Sequence, residues 1–427
     1  MNSPVSIPSR TPLSVIILND FGWVNGGQSK VAIDSALQLK SRGLDVCFVA
    51  GRGPIDERLL DVGVECHVVG RHDILSDPFR ARAAASGIWN AAAARSVAAC
   101  VAARDPKTTI IHVHGWAKAL SPSIGRVLAR SNAAHVYTLH EYFLGCPNGG
   151  FYDYQAGRIC SRRALSAACL TTNCDARSAQ HKIWRVARHA VLWSAGRMPS
   201  GLRELIYLAP EQLEIMRPYV PAEARWHYLP NPAGAQPPQR VASEDNDTFL
   251  FVGRLSPEKG GSIVARAAAI AGVPIAFCGD GEERDAILKA NPNAQMLGWL
   301  TQEELGERMR HARCLVFPSL WYETYGLVVA DALRVGLPVL VSRSSVAASL
   351  VEQGISGELI QTGDVESWAA AMRRLQSNEL VASYSNAAFE SGTRLSGHTA
   401  YTAKLIDIYR SAIERKHAPL ASMSSVG

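Results

Sequence analysis

Apolar runs and amphipathic stretches alternate along the first half of the chain. Residues 13–20, LSVIILND, form an apolar run without polar alternation, which is typical of a strand buried on both faces. Similar runs at 45–51, 108–115 and 135–140 predict further buried strands, and the periodic stretch 29–43 predicts a helix between the first two. This strand–helix alternation indicates a doubly wound parallel sheet.

The same alternation restarts after a proline-rich segment that ends in an acidic cluster. The strands predicted in the second half are 248–254, 273–281, 314–319, 336–342 and 357–362, and the helices lie near 261–271, 282–290, 302–311, 326–335 and 364–376. We therefore expect an α/β protein with two doubly wound, Rossmann-like domains that face each other across a cleft. In such sheets ligands bind beyond the carboxyl ends of the strands, so loops from both domains should line that cleft.

These patterns divide the chain into four parts. The predicted parts are an N-terminal domain at 1–228 with a cysteine-rich basic insert at about 141–203, a linker at 229–247, a C-terminal domain at 248–395, and a C-terminal helix at 396–427 that packs back on the N-terminal domain. The length of 427 residues and the 47% of apolar residues are enough for two full cores.

Charge is spread unevenly between the two halves. Residues 1–240 carry a net charge of +10, whereas residues 241–427 carry −4. A basic half indicates contact with phosphate, an anionic lipid surface or nucleic acid. The nine cysteines, an odd number, do not fit the disulfide framework of a secreted protein.

The sequence predicts neither a targeting segment nor a membrane span. Residues 1–20 contain one short apolar run and lack the basic region of a signal peptide. The stretch 83–103 has Arg95 as its single charge, but its alanine-rich composition favours a packed amphipathic helix. We therefore expect a cytoplasmic protein, with peripheral contact to the inner face of the membrane left open.

Two cations stand out where the first strand of the second half ends. The segment FVGRLSPEKG places Arg254 and Lys259 five residues apart, between a buried strand and a helix. A guanidinium fork, an ammonium group and a helix N-terminus together suit a diphosphate. Taken alone, the pair is explained equally well as solvated surface charge.

Two acids follow in the segment FPSLWYETYGLVVAD. Glu323 precedes a predicted helix start, and Asp331 comes eight positions later on that helix. Carboxylates at two depths can hold two hydroxyl-bearing groups of one ligand, and the free amides of Tyr325, Gly326 and Leu327 can bind an anion between them. Taken alone, a pair of acids near a helix start is explained by capping and by the helix dipole, but the nearby Arg–Lys pair and the two-domain layout favour a binding site.

The first half supplies weaker candidates. Gly26 and Gly27 follow a buried strand and can bring backbone amides close to a phosphate. His140 ends a strand, where a histidine is either a ligand contact or a capping residue. His112 and His114 alternate with apolar residues on an earlier strand, and we expect at least one of them to be structural.

In this order, GGQSKVA, GRLSPEKG, CGDGEERD and ETYGLVVAD resemble a retaining glycosyltransferase of the GT-B fold, in family 4 and of the bacterial surface-polysaccharide type. The resemblance implies transfer of a sugar from a nucleoside-diphosphate donor to a hydroxyl of a saccharide acceptor. It implies an acceptor that is lipid-linked or a precursor of a polysaccharide such as lipopolysaccharide. The enzyme would be of the hexosyltransferase type and would need no cofactor or metal for catalysis.

The resemblance also assigns roles to single residues. It implies catalytic contacts for Glu323, His140, Arg254 and Lys259, the first two at the donor sugar and the others at the diphosphate. The donor-binding residues that it implies are Gly26, Gly27, Arg254, Lys259, Tyr325, Gly326, Leu327 and Asp331. Asp331 would hold the ribose, a position at which the family usually has glutamate.

Four cysteines cluster in the insert, at Cys146, Cys160, Cys169 and Cys174. Four thiolates can close a tetrahedral zinc site that orders such a segment. The alternatives are four separately buried thiols or, less favoured, an iron–sulfur cluster.

Basic residues and tryptophans share the same region. Residues 151–203 carry nine Lys and Arg against two Asp and Glu, together with Trp184 and Trp193. This pattern suits an anionic membrane surface, or equally a helix that packs its tryptophans into the N-terminal domain. No nucleic-acid-binding module accompanies the charge, so we expect no nucleic acid partner.

Two other functions compete with sugar transfer. A non-catalytic sugar-nucleotide-binding or scaffold protein of the same fold would explain Asp331 and the unusual turn at 342–357. This turn reads SRSSVAASLVEQGISG, where the family that the chain resembles usually has a Gly-x-Pro-Glu-like turn. A dinucleotide-dependent dehydrogenase is suggested by CGDGEERD, but this segment lacks the third glycine of the fingerprint.

Overall fold

Two parallel sheets organise residues 13–418, the part of the chain that the computed structural model describes. Residues 1–12 and 419–427 lie outside the described residues. They include most of the segment in which we predict no targeting signal and the end of the predicted C-terminal helix.

The first half of the chain contains nine strands, and seven of them form one sheet. Its strands are β1 (Ser14–Phe21), β2 (Asp45–Arg52), β3 (Glu65–Gly70), β4 (Thr109–Val113), β5 (Ala134–Thr138), β6 (Tyr152–Asp153), β7 (Arg158–Ile159), β8 (Glu204–Tyr207) and β9 (Arg225–Tyr228). Its helices are α1 (Gly27–Ser41), α2 (Glu57–Asp61), α3 (Arg80–Ile88), α4 (Ala91–Ala102), α5 (Ser123–Arg130), α6 (Ala167–Thr171), α7 (Ala179–Trp193) and α8 (Pro210–Met216). The strand order is β3-β2-β1-β4-β5-β8-β9, while β6 and β7 form a separate antiparallel pair.

The second half builds a six-stranded sheet. Its strands are β10 (Phe249–Val252), β11 (Ile275–Cys278), β12 (Gln295–Gly298), β13 (Cys314–Phe317), β14 (Val339–Ser342) and β15 (Gly357–Ile360). Its helices are α9 (Gly261–Ala271), α10 (Arg284–Ala290), α11 (Gln302–Arg310), α12 (Leu327–Val335), α13 (Val365–Arg374), α14 (Asn378–Arg394) and α15 (His398–His417). The strand order is β12-β11-β10-β13-β14-β15.

Both sheets reverse their winding direction next to their first strand. In the first sheet β1 pairs in parallel with β2 on one side and β4 on the other, and in the second sheet β10 pairs with β11 and β13. A crevice opens beyond the carboxyl ends of the strands at such a switch point. The two crevices form the two walls of one cleft.

All nine strands predicted from apolar runs are present, but β3, β6, β7, β8, β9 and β12 were not predicted. Strands β6, β7 and β8 have only two to four residues, too few for a clear pattern. Strands β3, β9 and β12 are edge strands with partly exposed side chains, as in ECHVVG of β3. A strand that is covered on one side only needs no continuous apolar run, so its sequence lacks that signal.

The sequence predicts one helix over the alanine-rich stretch 83–103. The structure instead divides this stretch between α3 and α4. Trp89 and Asn90 interrupt it, and the Asn90 side chain accepts a hydrogen bond from the amide of Ala93 to cap α4. Among the described residues, no helix combines the length and the apolar character needed to cross a bilayer.

The last helix returns to the N-terminal sheet. On α15, Leu405 and Tyr409 are fully buried in the same core as residues of β1 and α1. Arg415 near the end of this helix binds Glu204 of β8, with 2.8 Å between Nε and Oε1. The second half of the chain is therefore fastened to the first through α15 as well as through the linker.

Replacing Leu405 by alanine should lower the free energy of unfolding by about 2–5 kcal/mol, because it opens a cavity between α15 and the N-terminal core. Lys404→Ala is the matched control, since Lys404 is the exposed neighbour on the same helix. Chemical denaturation measures both variants. Equal stability of the two would contradict this packing.

Candidate functional site

A cleft of about 400 Å³ separates the two sheets, a volume suited to a small-molecule ligand. The structure brings together along this cleft all the donor-site residues predicted from the sequence. They are Gly26, Gly27, His140, Arg254, Lys259, Glu323, Tyr325, Gly326, Leu327 and Asp331.

Two helix N-termini meet in the cleft. Helix α1 begins at Gly27 and α12 at Leu327, each preceded by a glycine with positive φ, 108° at Gly26 and 90° at Gly326. A Cβ atom on Gly27 would lie 2.8 Å from Leu327 Cδ1, so the two helix starts nearly touch. Because the first amides of a helix lack intrahelical partners, both ends direct N–H groups and positive potential into the same space.

The unusual turn at 342–357 supports the start of α12. A Cβ atom on Gly326 would lie 2.5 Å from Cβ of Ala347, which belongs to a short 3₁₀ turn at Val346–Leu350. The backbone of residue 326 therefore needs glycine for both its φ and its close packing. The altered turn still holds the helix N-terminus in place.

Glu323 is the most heavily constrained side chain of the cleft. Its Oε1 atom accepts hydrogen bonds from Lys259 Nζ at 2.5 Å, Ser319 Oγ at 2.5 Å and Trp321 Nε1 at 2.8 Å. Burial alone would raise the pKa of Glu323, but the Lys259 charge and these three donors outweigh burial and lower it. The carboxylate is therefore ionised at neutral pH, and Oε2 can accept from a ligand hydroxyl.

The backbone at Glu323 links the two domains. Its carbonyl accepts a 2.5 Å hydrogen bond from the hydroxyl of Tyr142, a fully buried residue of the N-terminal half. Its φ of 58° lies in the left-handed region, which a non-glycine residue adopts only when its surroundings impose it. The position of this carboxylate is thus fixed by contacts from both halves.

Lys259 and Arg254 differ in how firmly they are held. The Lys259 side chain is mostly buried, and its ammonium lies 5.3 Å from the centre of the Trp321 ring. The Arg254 side chain is 63% exposed, with Nη2 3.6 Å from Oε1 of Glu258. Lys259 is therefore preorganised, whereas Arg254 is free to turn towards an anion at the mouth of the cleft.

Asp331 faces the cleft from the second turn of α12. Its Oδ1 atom accepts a 3.0 Å hydrogen bond from the amide of Gly234 in the segment that joins the two sheets. Burial raises the pKa of Asp331, while the Lys30 charge and the Gly234 hydrogen bond oppose that rise. Asp331 thus fastens the connecting segment and lines the ligand space at once.

His140 belongs to a chain of buried histidines. Its Nε2 lies 3.0 Å from His114 Nδ1, and His114 Nε2 lies 3.1 Å from His112 Nδ1. The hydroxyl of Tyr409 lies 2.6 Å from the same nitrogen of His112, whose Nε2 lies 2.7 Å from Thr138 Oγ1. Both His112 and His114 are thus part of a network that runs from α15 to the cleft.

The three histidines of this network are neutral, and their tautomers depend on one another. Burial lowers the pKa of His140 to about 3 and holds those of His112 and His114 well below their usual value, so the three rings are neutral at neutral pH. In the tautomer in which Nδ1 of His112 accepts from Tyr409, Nε2 of His114 must carry a proton and donates to that same Nδ1. Nδ1 of His114 is then unprotonated and accepts from Nε2 of His140. Nδ1 of His140 then keeps the lone pair that can accept a hydrogen bond in the cleft.

The cleft also contains charged residues that were not predicted. Lys30 on α1, and Lys118 and Glu141 on loops after β4 and β5, line its N-terminal wall. Burial raises the pKa of Glu141, and Lys118 opposes that rise. Lys30 lies within the quoted segment GGQSKVA, and Glu141 directly follows His140, so their positions shortly after strand ends were the available signal.

The predicted four-cysteine zinc site is not assembled. Among residues 13–418, no three of the four sulfur atoms lie within 4.8 Å of one another. The ammonium of buried Lys182 stands beside two of them, 3.2 Å from Cys174 Sγ and 3.6 Å from Cys169 Sγ. The geometry therefore favours four separate thiols, of which Cys146, Cys169 and Cys174 are buried and Cys160 is partly exposed.

Of the two alternatives predicted for the basic Trp184–Trp193 stretch, the structure favours packing into the N-terminal domain, and contact with an anionic membrane surface stays a prediction. On α7, Arg188 is buried with its guanidinium about 5 Å from the Phe143 and Trp184 rings, and Arg185 pairs with buried Asp175 at 2.6 Å. The indoles of Trp184 and Trp193 donate to backbone carbonyls inside the domain. Helix α7 therefore uses these arginines and tryptophans for packing inside the N-terminal domain, which is the second of the two alternatives predicted from the sequence.

Comparison with known proteins finds a family match within the second half of the chain. Residues 234–391 match the family described as "Glycosyl transferases group 1". The D-inositol 3-phosphate glycosyltransferase of Thermobispora bispora is 29% identical over 51% of this chain and 54% of its own length. The chain thus spans about half the length of that relative. The Mycobacterium marinum protein of the same name is 27% identical over 91% of this chain and 82% of its own.

Solved structures share the architecture of the whole chain. A sucrose-phosphate synthase from Thermosynechococcus elongatus covers 94% of this chain and 100% of its own, with a TM-score of 0.68 and 17% identity. Anabaena HepE in complex with UDP-glucose covers 93% and 100%, with a TM-score of 0.64 and 16% identity. The chain therefore has the GT-B fold, and residues 234–391 within it match the group 1 glycosyltransferase family.

Proposed function

We propose that this protein transfers a sugar, with retention of configuration, from a nucleoside-diphosphate donor to a hydroxyl of a saccharide acceptor, as a family 4 enzyme. The observation that carries the proposal is the convergence of two helix N-termini with Arg254 and Lys259 on one cleft. Four sources of positive potential at one point suit a diphosphate.

The same groups supply the electrostatics of the reaction. As the bond between the sugar C1 and the diphosphate oxygen breaks, negative charge grows on the departing diphosphate. Lys259 and the amides at Gly326 and Leu327 are already positioned there, and Arg254 turns in from the mouth of the cleft. Preorganised donors of this kind stabilise a transition state without reorganising as charge develops.

Glu323 and Asp331 would hold the donor on either side of the diphosphate. Oε2 of Glu323 accepts from sugar hydroxyls, while Asp331 accepts from the ribose. The acceptor oxygen then bonds to C1 on the face that the diphosphate leaves, and its proton passes to a departing phosphate oxygen. This route needs no enzyme nucleophile and accounts for retention.

The N-terminal wall would bind the acceptor. Nδ1 of His140 accepts from a hydroxyl of the donor sugar at this wall, and Lys30 and Lys118 offer cations on the acceptor side. These cations suit an acceptor that carries negative charge, such as a lipid-linked saccharide phosphate. The curated relatives named above, whose names specify an inositol phosphate, agree with an anionic acceptor.

Replacing Arg254 or Lys259 by alanine should lower the rate of transfer about thirty- to a thousand-fold. Each change removes one charge-assisted contact in the transition state, worth roughly 2–4 kcal/mol. Arg266→Ala is the control, because Arg266 is exposed on α9 of the same domain. Steady-state kinetics with a nucleotide sugar measure all three, and near-normal rates for both cleft variants would refute the clamp.

Replacing Glu323 and Asp331 should affect different kinetic parameters. Glu323→Gln should lower kcat more than it weakens nucleotide binding, because the lost charge orders Lys259 for the reaction. Asp331→Asn should instead raise the donor KM, since a ribose contact is present before and during the reaction. Donor titrations separate kcat from KM, and an unchanged KM in Asp331→Asn would contradict the ribose assignment.

Tyr409→Phe tests the histidine network at a distance from any ligand. The change removes the hydroxyl proton that orients His112, so the tautomer of His140 is no longer fixed. We expect kcat/KM to fall about 2- to 12-fold, the equivalent of one hydrogen bond of about 0.5–1.5 kcal/mol.

Tyr401→Phe is the matched control, because Tyr401 is a buried tyrosine of the same helix that lies outside the network. Nitrogen-15 NMR of labelled histidines reads the tautomers directly. A His140 tautomer that is unchanged in Tyr409→Phe would show that the network does not orient this ring.

A further inference from the structure

Three potential metal ligands converge at the edge of the N-terminal sheet that lies away from the linker. The sulfur atoms of Cys47 on β2 and Cys100 on α4 and one ring nitrogen of His67 on β3 all lie within 4.8 Å of one another. Cys47 and His67 are each the third residue of their strand. The cluster therefore lies towards the amino ends of the strands, whereas the cleft lies beyond their carboxyl ends.

A carboxylate orients the histidine of this cluster. Oε1 of Glu65 lies 2.6 Å from His67 Nε2, and Oε2 of Glu65 accepts from Arg104 Nη2 at 2.5 Å. A carboxylate that holds one ring nitrogen as N–H leaves the lone pair on the other, the arrangement that metal-binding histidines usually have. Arg104 also donates to the carbonyl of Cys100 at 3.1 Å, so it ties Glu65 to the helix that carries the second thiol.

We propose that Cys47, His67 and Cys100 bind one Zn²⁺ ion. Two thiolates and an imidazole are ligands that zinc prefers, and sulfur atoms around tetrahedral zinc are about 3.8 Å apart for bonds of about 2.3 Å. The observed cluster therefore needs to contract by no more than about 1 Å. Two thiolates also balance the charge of the ion.

Access and the fourth ligand come from the solvent side. Cys47 and Cys100 are buried, but the His67 side chain is 42% exposed, so an ion can enter past the imidazole. Water completes the coordination there. Among the described residues, this is the one set of three His, Cys, Asp or Glu side chains with ligand atoms this close together, which distinguishes it from the insert cysteines.

The ion would fasten an edge that is otherwise loosely covered. Strand β3 is the outer strand of the sheet, and its side chains are all at least partly exposed. A ligand that binds the folded state alone stabilises it by mass action, so zinc would hold β2, β3 and α4 together. This role is independent of the proposed sugar transfer.

The test is a zinc titration of the reduced, metal-free full chain against a chromophoric chelator. We expect the wild type to bind one ion through this site and to gain thermal stability. His67→Ala should weaken binding more than tenfold, and Glu65→Gln about 10- to 100-fold, the usual cost of losing an outer-shell carboxylate. His67 and Glu65 are both partly exposed, so these variants should fold.

Cobalt identifies the ligands and two controls locate the site. With Co²⁺, a thiolate-to-metal charge-transfer band should appear in the wild type and in Cys66→Ser, and fall in Cys100→Ser. Equal zinc affinity of the wild type and His67→Ala, or no zinc uptake at all, would overturn the proposal. So would zinc that is lost in Cys169→Ser and kept in His67→Ala, because it would place the ion in the insert.

Discussion

The buried ion pair between Lys259 and Glu323 is the contact on which the geometry of the cleft depends. The carboxylate receives three donors on one oxygen, and its backbone carbonyl receives Tyr142 from the other domain. Removing one partner of a buried pair leaves an uncompensated charge, at a cost of about 3–5 kcal/mol. The pair thus places an ionised acid and a fixed cation side by side where a ligand enters.

The fold adds the positive electrostatic potential of two helix N-termini to the charges of this pair. Two parallel sheets direct the helices after β1 and β13 towards the same cleft, so the starts of α1 and α12 meet at Gly27 and Leu327. Glycine suits the position before each helix, because φ is positive at Gly26 and Gly326. A diphosphate between these helix ends would find its charge balanced by backbone dipoles as well as by side chains.

The parts of this arrangement that the sequence predicts are those encoded locally. Buried parallel strands are continuous apolar runs, and the cations and acids after them have recognisable spacing, so Arg254, Lys259, Glu323 and Asp331 could be placed. Tyr409 could not be placed, because its contact with His112 joins residues 297 positions apart. The environment of α7 was equally hidden, since a basic helix has one sequence pattern whether its arginines face solvent or stack on buried rings.

The cysteines show that spacing along the sequence can also draw attention to residues that the fold does not bring together. Spacing drew attention to the four in the insert, yet the three ligands that converge come from β2, β3 and α4, whose contact depends on strand pairing. Residues that pair across a sheet have no sequence signature of their own. A site whose ligands come from several secondary-structure elements can therefore be recognised only in the folded structure.

The most direct measurement of the central claim is calorimetric titration of the wild-type protein with nucleoside diphosphates and the matching monophosphates. If the helix ends, Arg254 and Lys259 bind a diphosphate, at least one diphosphate should bind more than about tenfold tighter than its monophosphate, since one charge-assisted hydrogen bond contributes about 1.5–3 kcal/mol. Equal affinities, or no binding by any nucleoside diphosphate, would contradict the account.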